Sequence, residues 1–128
     1  MIGSSRVVRV FAYAGPVDMR KSYEGLGALV RNELGRDLLS GELYLFTNRR
    51  RTRAKVLLFD GTGLCIYMKR LDKGRFAKLW RDERDGGSAL SLTMSELSLF
   101  LEGSELVGRR TLSPPAITQQ DLAVTIPI

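Results

Sequence analysis

The chain of 128 residues contains no histidine and a single cysteine, Cys65. Without imidazole there is no histidine general base, no Ser-His or Cys-His nucleophile pair and no His-containing metal site. A lone cysteine cannot close an internal disulfide, which suits a reducing cytoplasm. No apolar run approaches the roughly 18–20 residues that a membrane span needs, and the N-terminal residues lack a signal-peptide core. These absences point to a soluble cytoplasmic protein with no cofactor and no membrane association. They leave the charged side chains as the main carriers of function.

Lys and Arg number 20 against 14 Asp and Glu, a formal net charge of +6. The charge is segregated: residues 1–81 are strongly basic and residues 82–128 are acidic on balance. Between Arg49 and Arg81 the chain carries 11 basic residues and only two acids, Asp60 and Asp72. A field of one sign attracts a polyanion and speeds its encounter, and nucleic acid is the usual partner of such a basic domain. The plain alternative is a solvated basic surface that keeps the protein in solution.

Periodicity sorts the chain into elements. Val7 to Ala14 (VVRVFAYA) is β-branched and aromatic, ends at Gly15-Pro16 and reads as a strand. Asp18 stands where a helix N-cap belongs, and Met19, Tyr23, Leu26, Val30 and Leu34 follow on one helical face, with Gly35 placed to end it. Glu42 to Thr47 (ELYLFT), Lys55 to Phe59 (KVLLF) and Leu64 to Lys69 (LCIYMK) read as an antiparallel meander. Its second turn, Asp60-Gly61-Thr62-Gly63, is the strongest local signal in the chain, because Asp-Gly supplies the positive φ that tight hairpins need.

Leu71 to Arg81 fits either a loop or a short helix, and Ala89 to Leu92 fits an edge strand. Thr93 and Glu96 have capping-box spacing ahead of a helix over Met94 to Glu102, closed by Gly103. The expected fold is α+β: an antiparallel sheet of four to five strands, one main helix packed on it and a short C-terminal helix. Residues 1–103 form a single domain on this reading, and 104–128 an extended or partly disordered tail.

The acidic residues make a poor active site. Two-metal hydrolysis needs converging carboxylates. Each candidate has a simpler role: Asp18 caps a helix, Asp60 opens a turn and Asp72 pairs within a basic loop. Gly61-Thr62-Gly63 has no following helix or Walker lysine and is a turn, not a phosphate loop. Cys65 in an apolar strand reads as a small buried hydrophobe. No catalytic or metal-binding residue is therefore expected.

The binding candidates are Arg49, Arg50, Arg51, Arg53 and Lys55 in and after a hairpin connection, and Lys69, Arg70, Lys73 and Arg75 in a second cluster. Arginine suits phosphate because its planar fork bonds two oxygens at once and also stacks on bases. Tyr67, Phe76 and Trp80 interleave with the second cluster; Phe76 and Trp80 read as closing the edge of the core, with the cations in solvent.

Several segments, in order, resemble one family. They are Gly15-Pro16-Val17-Asp18-Met19-Arg20-Lys21, Gly25-Leu26-Gly27-Ala28-Leu29-Val30, Ser40-Gly41-Glu42-Leu43-Tyr44-Leu45-Phe46 and Asn48-Arg49-Arg50-Arg51. Lys55-Val56-Leu57, Asp60-Gly61-Thr62-Gly63, Lys69-Arg70-Leu71 and Gly74-Arg75-Phe76 complete the set. The chain resembles the TnpB (Orf2-like) accessory proteins of the insertion-sequence-sixty-six transposon family over roughly Val7 to Leu101. It departs from them after Phe76, where Ala77-Lys78-Leu79-Trp80 replaces an aromatic followed by proline.

The resemblance implies a role in DNA transposition beside a separate transposase that supplies the catalytic acids, and it brings no catalytic residues with it. The expectation is a DNA-binding accessory factor gripping the phosphate backbone. The alternative is a subunit that docks on the transposase without touching DNA. A small nuclease ranks last.

Overall fold

The computed structural model describes residues 7–81 and 87–103; the expected tail at 104–128 lies outside them. Five strands, β1 (Val10–Pro16), β2 (Leu43–Thr47), β3 (Arg53–Phe59), β4 (Leu64–Arg70) and β5 (Ser88–Leu92), form one sheet in the order β4-β3-β2-β1-β5. Helix α1 (Tyr23–Ala28) runs directly into a π-turn over Leu29–Glu33, and α2 (Met94–Leu101) follows β5. The architecture is α+β, as expected. The sheet is mixed, because β1 and β2 pair in parallel while the other three pairings are antiparallel. A parallel pair needs a crossover, and the stretch holding α1 supplies it.

Alternation along the strands divides the core into two layers. Phe11, Tyr44, Phe46 and Leu57 face Leu26 and Val30 of α1 and its turn. Val10, Ala12, Leu45, Ala54 and Val56 face Leu97 and Phe100 of α2, together with Phe76, Leu79 and Trp80. Segment 71–81 forms neither helix nor strand. Phe76 and Trp80 are nevertheless buried, and Phe76 stacks on Phe100 with centroids 5.0 Å apart. The segment thus closes one face of the sheet through its packed side chains without forming an element of its own.

Helix α2 begins as its sequence dictates. Thr93 Oγ1 accepts from the Glu96 amide at 3.1 Å, and the Thr93 amide donates back to Glu96 Oε1 at 2.8 Å. Helix α1 does not. It starts at Tyr23 rather than beside Asp18, whose Oδ1 accepts the Arg20 amide at 2.9 Å in a local turn. Such side-chain-to-backbone bonds compete with helix formation. Leu26 and Val30 of the expected apolar stripe are buried, whereas Tyr23 is half exposed.

Gly27 lies so close to Leu38 that an added methyl group would sit 2.9 Å from Leu38 Cδ2. A side chain there would require the end of Leu38 to shift.

Cys65 also departs from expectation. It is only half-buried, because β4 is an edge strand, and its Sγ lies 3.5 Å from Asp60 Oδ2. Burial, then the neighbouring Asp60 carboxylate, pushes its thiol pKa up, away from a reactive thiolate.

Candidate nucleic-acid interface

The connection between β2 and β3 is built by Asn48. Its Oδ1 accepts the amides of Thr52 (2.9 Å) and Arg53 (3.1 Å), and its Nδ2 donates to Thr52 Oγ1 at 3.1 Å. The turn also requires Arg51 to adopt a φ of 59°, the left-handed region that a non-glycine residue seldom enters. Asn48 was not among the residues singled out from sequence. The signal available was an Asn opening a polar connection, since Asn side chains organise turns by bonding backbone a few residues on.

This turn is tied to the segment that follows β4. Leu71 donates its amide to the Thr52 carbonyl at 2.9 Å, and Phe76 donates its amide to the Arg51 carbonyl at 2.7 Å. The two basic stretches are thereby brought to one end of the sheet. Arg53 and Arg70 are direct partners across β3 and β4. Like charges placed opposite one another oppose sheet pairing, so this arrangement is not explained by strand stability.

An open groove of about 640 Å³ lies at this end. Arg49, Arg50, Arg53 and Arg70 line it with Asn48, Thr52 and Leu71, and Pro16 to Met19 form the opposite wall. A second hollow of about 400 Å³ is lined by Arg50, Thr52, Gly74 and Arg75. Arg50 and Thr52 belong to both, so the hairpin stands between two basic concavities. Arg50, Arg53, Arg70, Lys73 and Arg75 are exposed and have no carboxylate partner among the described residues.

Lys55, Lys69 and Arg51 are among the sequence candidates that are engaged within the protein. Lys55 is buried, and its ammonium donates to the Met19 and Lys21 carbonyls at 2.8 and 2.7 Å. It holds the groove wall from behind and is withdrawn as a DNA contact. Lys69 donates to the Leu101 carbonyl at 2.7 Å, at the end of α2, where a cation also meets the negative pole of the helix. Arg51 is half-buried and donates to the Phe76 carbonyl at 3.4 Å, so part of its role is structural.

Asp18 and Asp60 are spent on local structure. Asp18 forms a bidentate pair with Arg20, and that guanidinium holds its carboxyl down at about 2. Asp60 accepts the amides of Thr62 and Gly63 in the β3–β4 turn, which likewise lowers it to about 2. Asp72 is exposed and forms no ion pair among the described residues. No group of three or more Cys, Asp or Glu side chains among the described residues is placed to hold a metal ion.

At the far end of β2, buried Glu42 sits between Arg9 and Arg36. Burial works against its charge, and the two guanidinium groups overcome that and hold its pKa low. The Arg36 guanidinium also lies 3.8 Å over the Phe11 ring. In this cluster one buried carboxylate is shared by two guanidinium groups.

No helix among the described residues is long and apolar enough to cross a membrane. No solved structure matches the chain. Two relatives from Sinorhizobium fredii (strain NBRC 101917 / NGR234) do. The uncharacterized protein y4hO is 36% identical over 103 residues, covering 80% of this chain and 86% of that relative. The uncharacterized protein y4jC is 35% identical over 103 residues, covering 80% and 85%. The family model for IS66 Orf2 like protein matches residues 8–111, a span that contains the whole sheet, both helices and the basic groove. The chain belongs to the IS66 Orf2-like family and is thereby associated with the transposition of insertion sequences.

Proposed function

We propose that this protein is a non-catalytic accessory factor of transposition that binds DNA through the groove between the Asn48–Arg53 hairpin and the Pro16–Met19 loop. One observation carries the reading: Arg49, Arg50 and Arg53 of one basic stretch and Arg70 of the other line a single open concavity. Guanidinium groups converging from two strands match a phosphate backbone better than a lone cationic loop does. The factor would hold DNA for a separate transposase or steady their assembly.

An electrophoretic mobility titration of the full chain against duplex DNA tests it. If Arg50, Arg53 and Arg70 each neutralise a phosphate, replacing all three with Ala weakens binding and lowers the log K against log salt slope by about 0.9 per residue. Unchanged affinity in that variant overturns the reading.

A second reading is docking on the transposase. The exposed edge strand β4, with Tyr67 48% and Met68 61% exposed, favours it. Under that reading bare DNA is not bound, and a pulldown of the transposase is lost on mutating β4.

A further inference from the structure

We infer that a second phosphate-binding site lies across the hairpin from the groove, in the hollow lined by Arg50, Thr52, Gly74 and Arg75. The inference rests on the groove being a DNA-binding surface and adds a contact outside it. Its ligand is a phosphate of the same bound DNA.

The donors come from two connections that the sheet brings together. Arg50 stands between β2 and β3, and Arg75 follows β4. Both are exposed, and neither guanidinium has a carboxylate partner among the described residues. A planar fork of this kind bonds two phosphate oxygens at once. No acidic residue lines the hollow, whereas the groove has Asp18 in its wall. Asp72, the nearest acid along the chain, is exposed and lies outside the lining.

The backbone supplies further donors. Gly74 has a φ of 77°, in the left-handed region. A Cβ there would meet nothing within 4 Å, so the glycine serves the backbone angle and not a close neighbour. The amides of Gly74 and Arg75 donate to no acceptor among the described residues. Successive free amides around a left-handed residue form a concavity that suits an anion.

This stretch is fixed from behind. The next amide, that of Phe76, is already bonded to the Arg51 carbonyl at 2.7 Å. The Phe76 ring is buried and stacks on Phe100 with 9° between their planes. Arg75 thus projects from a backbone that is anchored one residue on. Arg50 and Thr52 line hollow and groove alike, so the two cationic surfaces are continuous around the hairpin.

Fluorescence anisotropy with the full chain and a labelled DNA duplex, titrated at several salt concentrations, tests this. Arg75→Ala should lower the log K against log salt slope by about 0.9, the value of one phosphate contact. Arg70→Ala should do the same from the groove. The double variant should lose about 1.8, because the two cations meet different phosphates. Arg75→Lys keeps the charge and should keep the slope while binding more weakly. Arg31→Ala removes an exposed cation that lines neither concavity and should leave the slope unchanged. An unchanged slope in Arg75→Ala overturns the inference, and a lowered one in Arg70→Ala beside it shows that binding in the groove stands. An equal fall in Arg31→Ala, or a double variant no lower than the single ones, also overturns it. Failure of the unaltered chain to bind duplex overturns the DNA-binding reading itself, and the inference with it.

Discussion

The ammonium of Lys55 donates to the carbonyl oxygen of Met19 at 2.8 Å, joining the middle of the sheet to the loop that walls the groove. A second bond, to Lys21 at 2.7 Å, completes the anchor. Burying a cation is costly unless its donors are satisfied, and these two carbonyls satisfy it. Lys55→Met keeps the apolar stem and removes the donor. The expected loss in urea unfolding is about 1–3 kcal/mol, with faster amide exchange across residues 17–22. DNA affinity should fall while its salt slope stays constant, because a buried ammonium releases no DNA counterion. A slope smaller by about 0.9 would instead make Lys55 a phosphate contact.

Arg51 adopts a left-handed backbone within the hairpin, with φ 59°. That conformation costs a non-glycine residue about 1–2 kcal/mol. Arg51→Gly relieves the strain, and the greater freedom of glycine in the unfolded chain offsets much of the gain. Near-neutral stability is expected for Arg51→Gly. Arg51→Val, β-branched and unable to accept this φ, should be destabilised by about 1–2 kcal/mol or more. Equal urea midpoints for the two variants would contradict this account.

Thr47 is fully buried at the end of β2, and its Oγ1 has no hydrogen-bond partner. An unsatisfied buried hydroxyl costs about 1–3 kcal/mol. Thr47→Val keeps the shape and the strand preference while removing that group, so stability should rise by about 1 kcal/mol. A lowered thermal midpoint would mean that the hydroxyl is satisfied after all.

The Asp18–Arg20 pair gives a pH signature. Asp18 is lowered from 3.8 to about 2, chiefly by hydrogen bonds from the Arg20 side chain and backbone. A depressed carboxylate favours the folded state above its unfolded pKa. That contribution is present above about pH 4 and fades as pH falls toward 2. Carboxyl-carbon NMR should place the Asp18 midpoint near 2 in the native protein. In Arg20→Ala the midpoint should move back toward 3.8. No change in Arg20→Ala would show that the pair does not hold in solution.

Much of the local structure is written in short stretches of sequence. Asp60-Gly61 announced its turn, with Gly61 at φ 106°, and Thr93 with Glu96 announced the capping box. The burial of Phe76 and Trp80 could also be read, because large aromatic residues in an otherwise polar segment have few places to go. Asp18 misled because it satisfies either a helix cap or a local turn, and the choice between them depends on partners elsewhere in the chain. Cys65 misled because an apolar strand looks the same at the edge of a sheet as at its centre.

Sequence by itself determined most of the strands and the capped second helix, the sign and segregation of the charge and the family. All of these depend on composition, on periodicity over a few residues or on an ordered set of motifs. Tertiary structure alone decided that β1 and β2 run parallel, that Lys55 faces inward, and that arginines from two strands share one groove. The physical reason is that register and pairing order set which side of the sheet each residue occupies. A shift of one position turns a side chain from core to solvent. Lys55 and Arg53 are two residues apart on the same strand, yet the loop packed over one of them separates a buried anchor from an exposed cation.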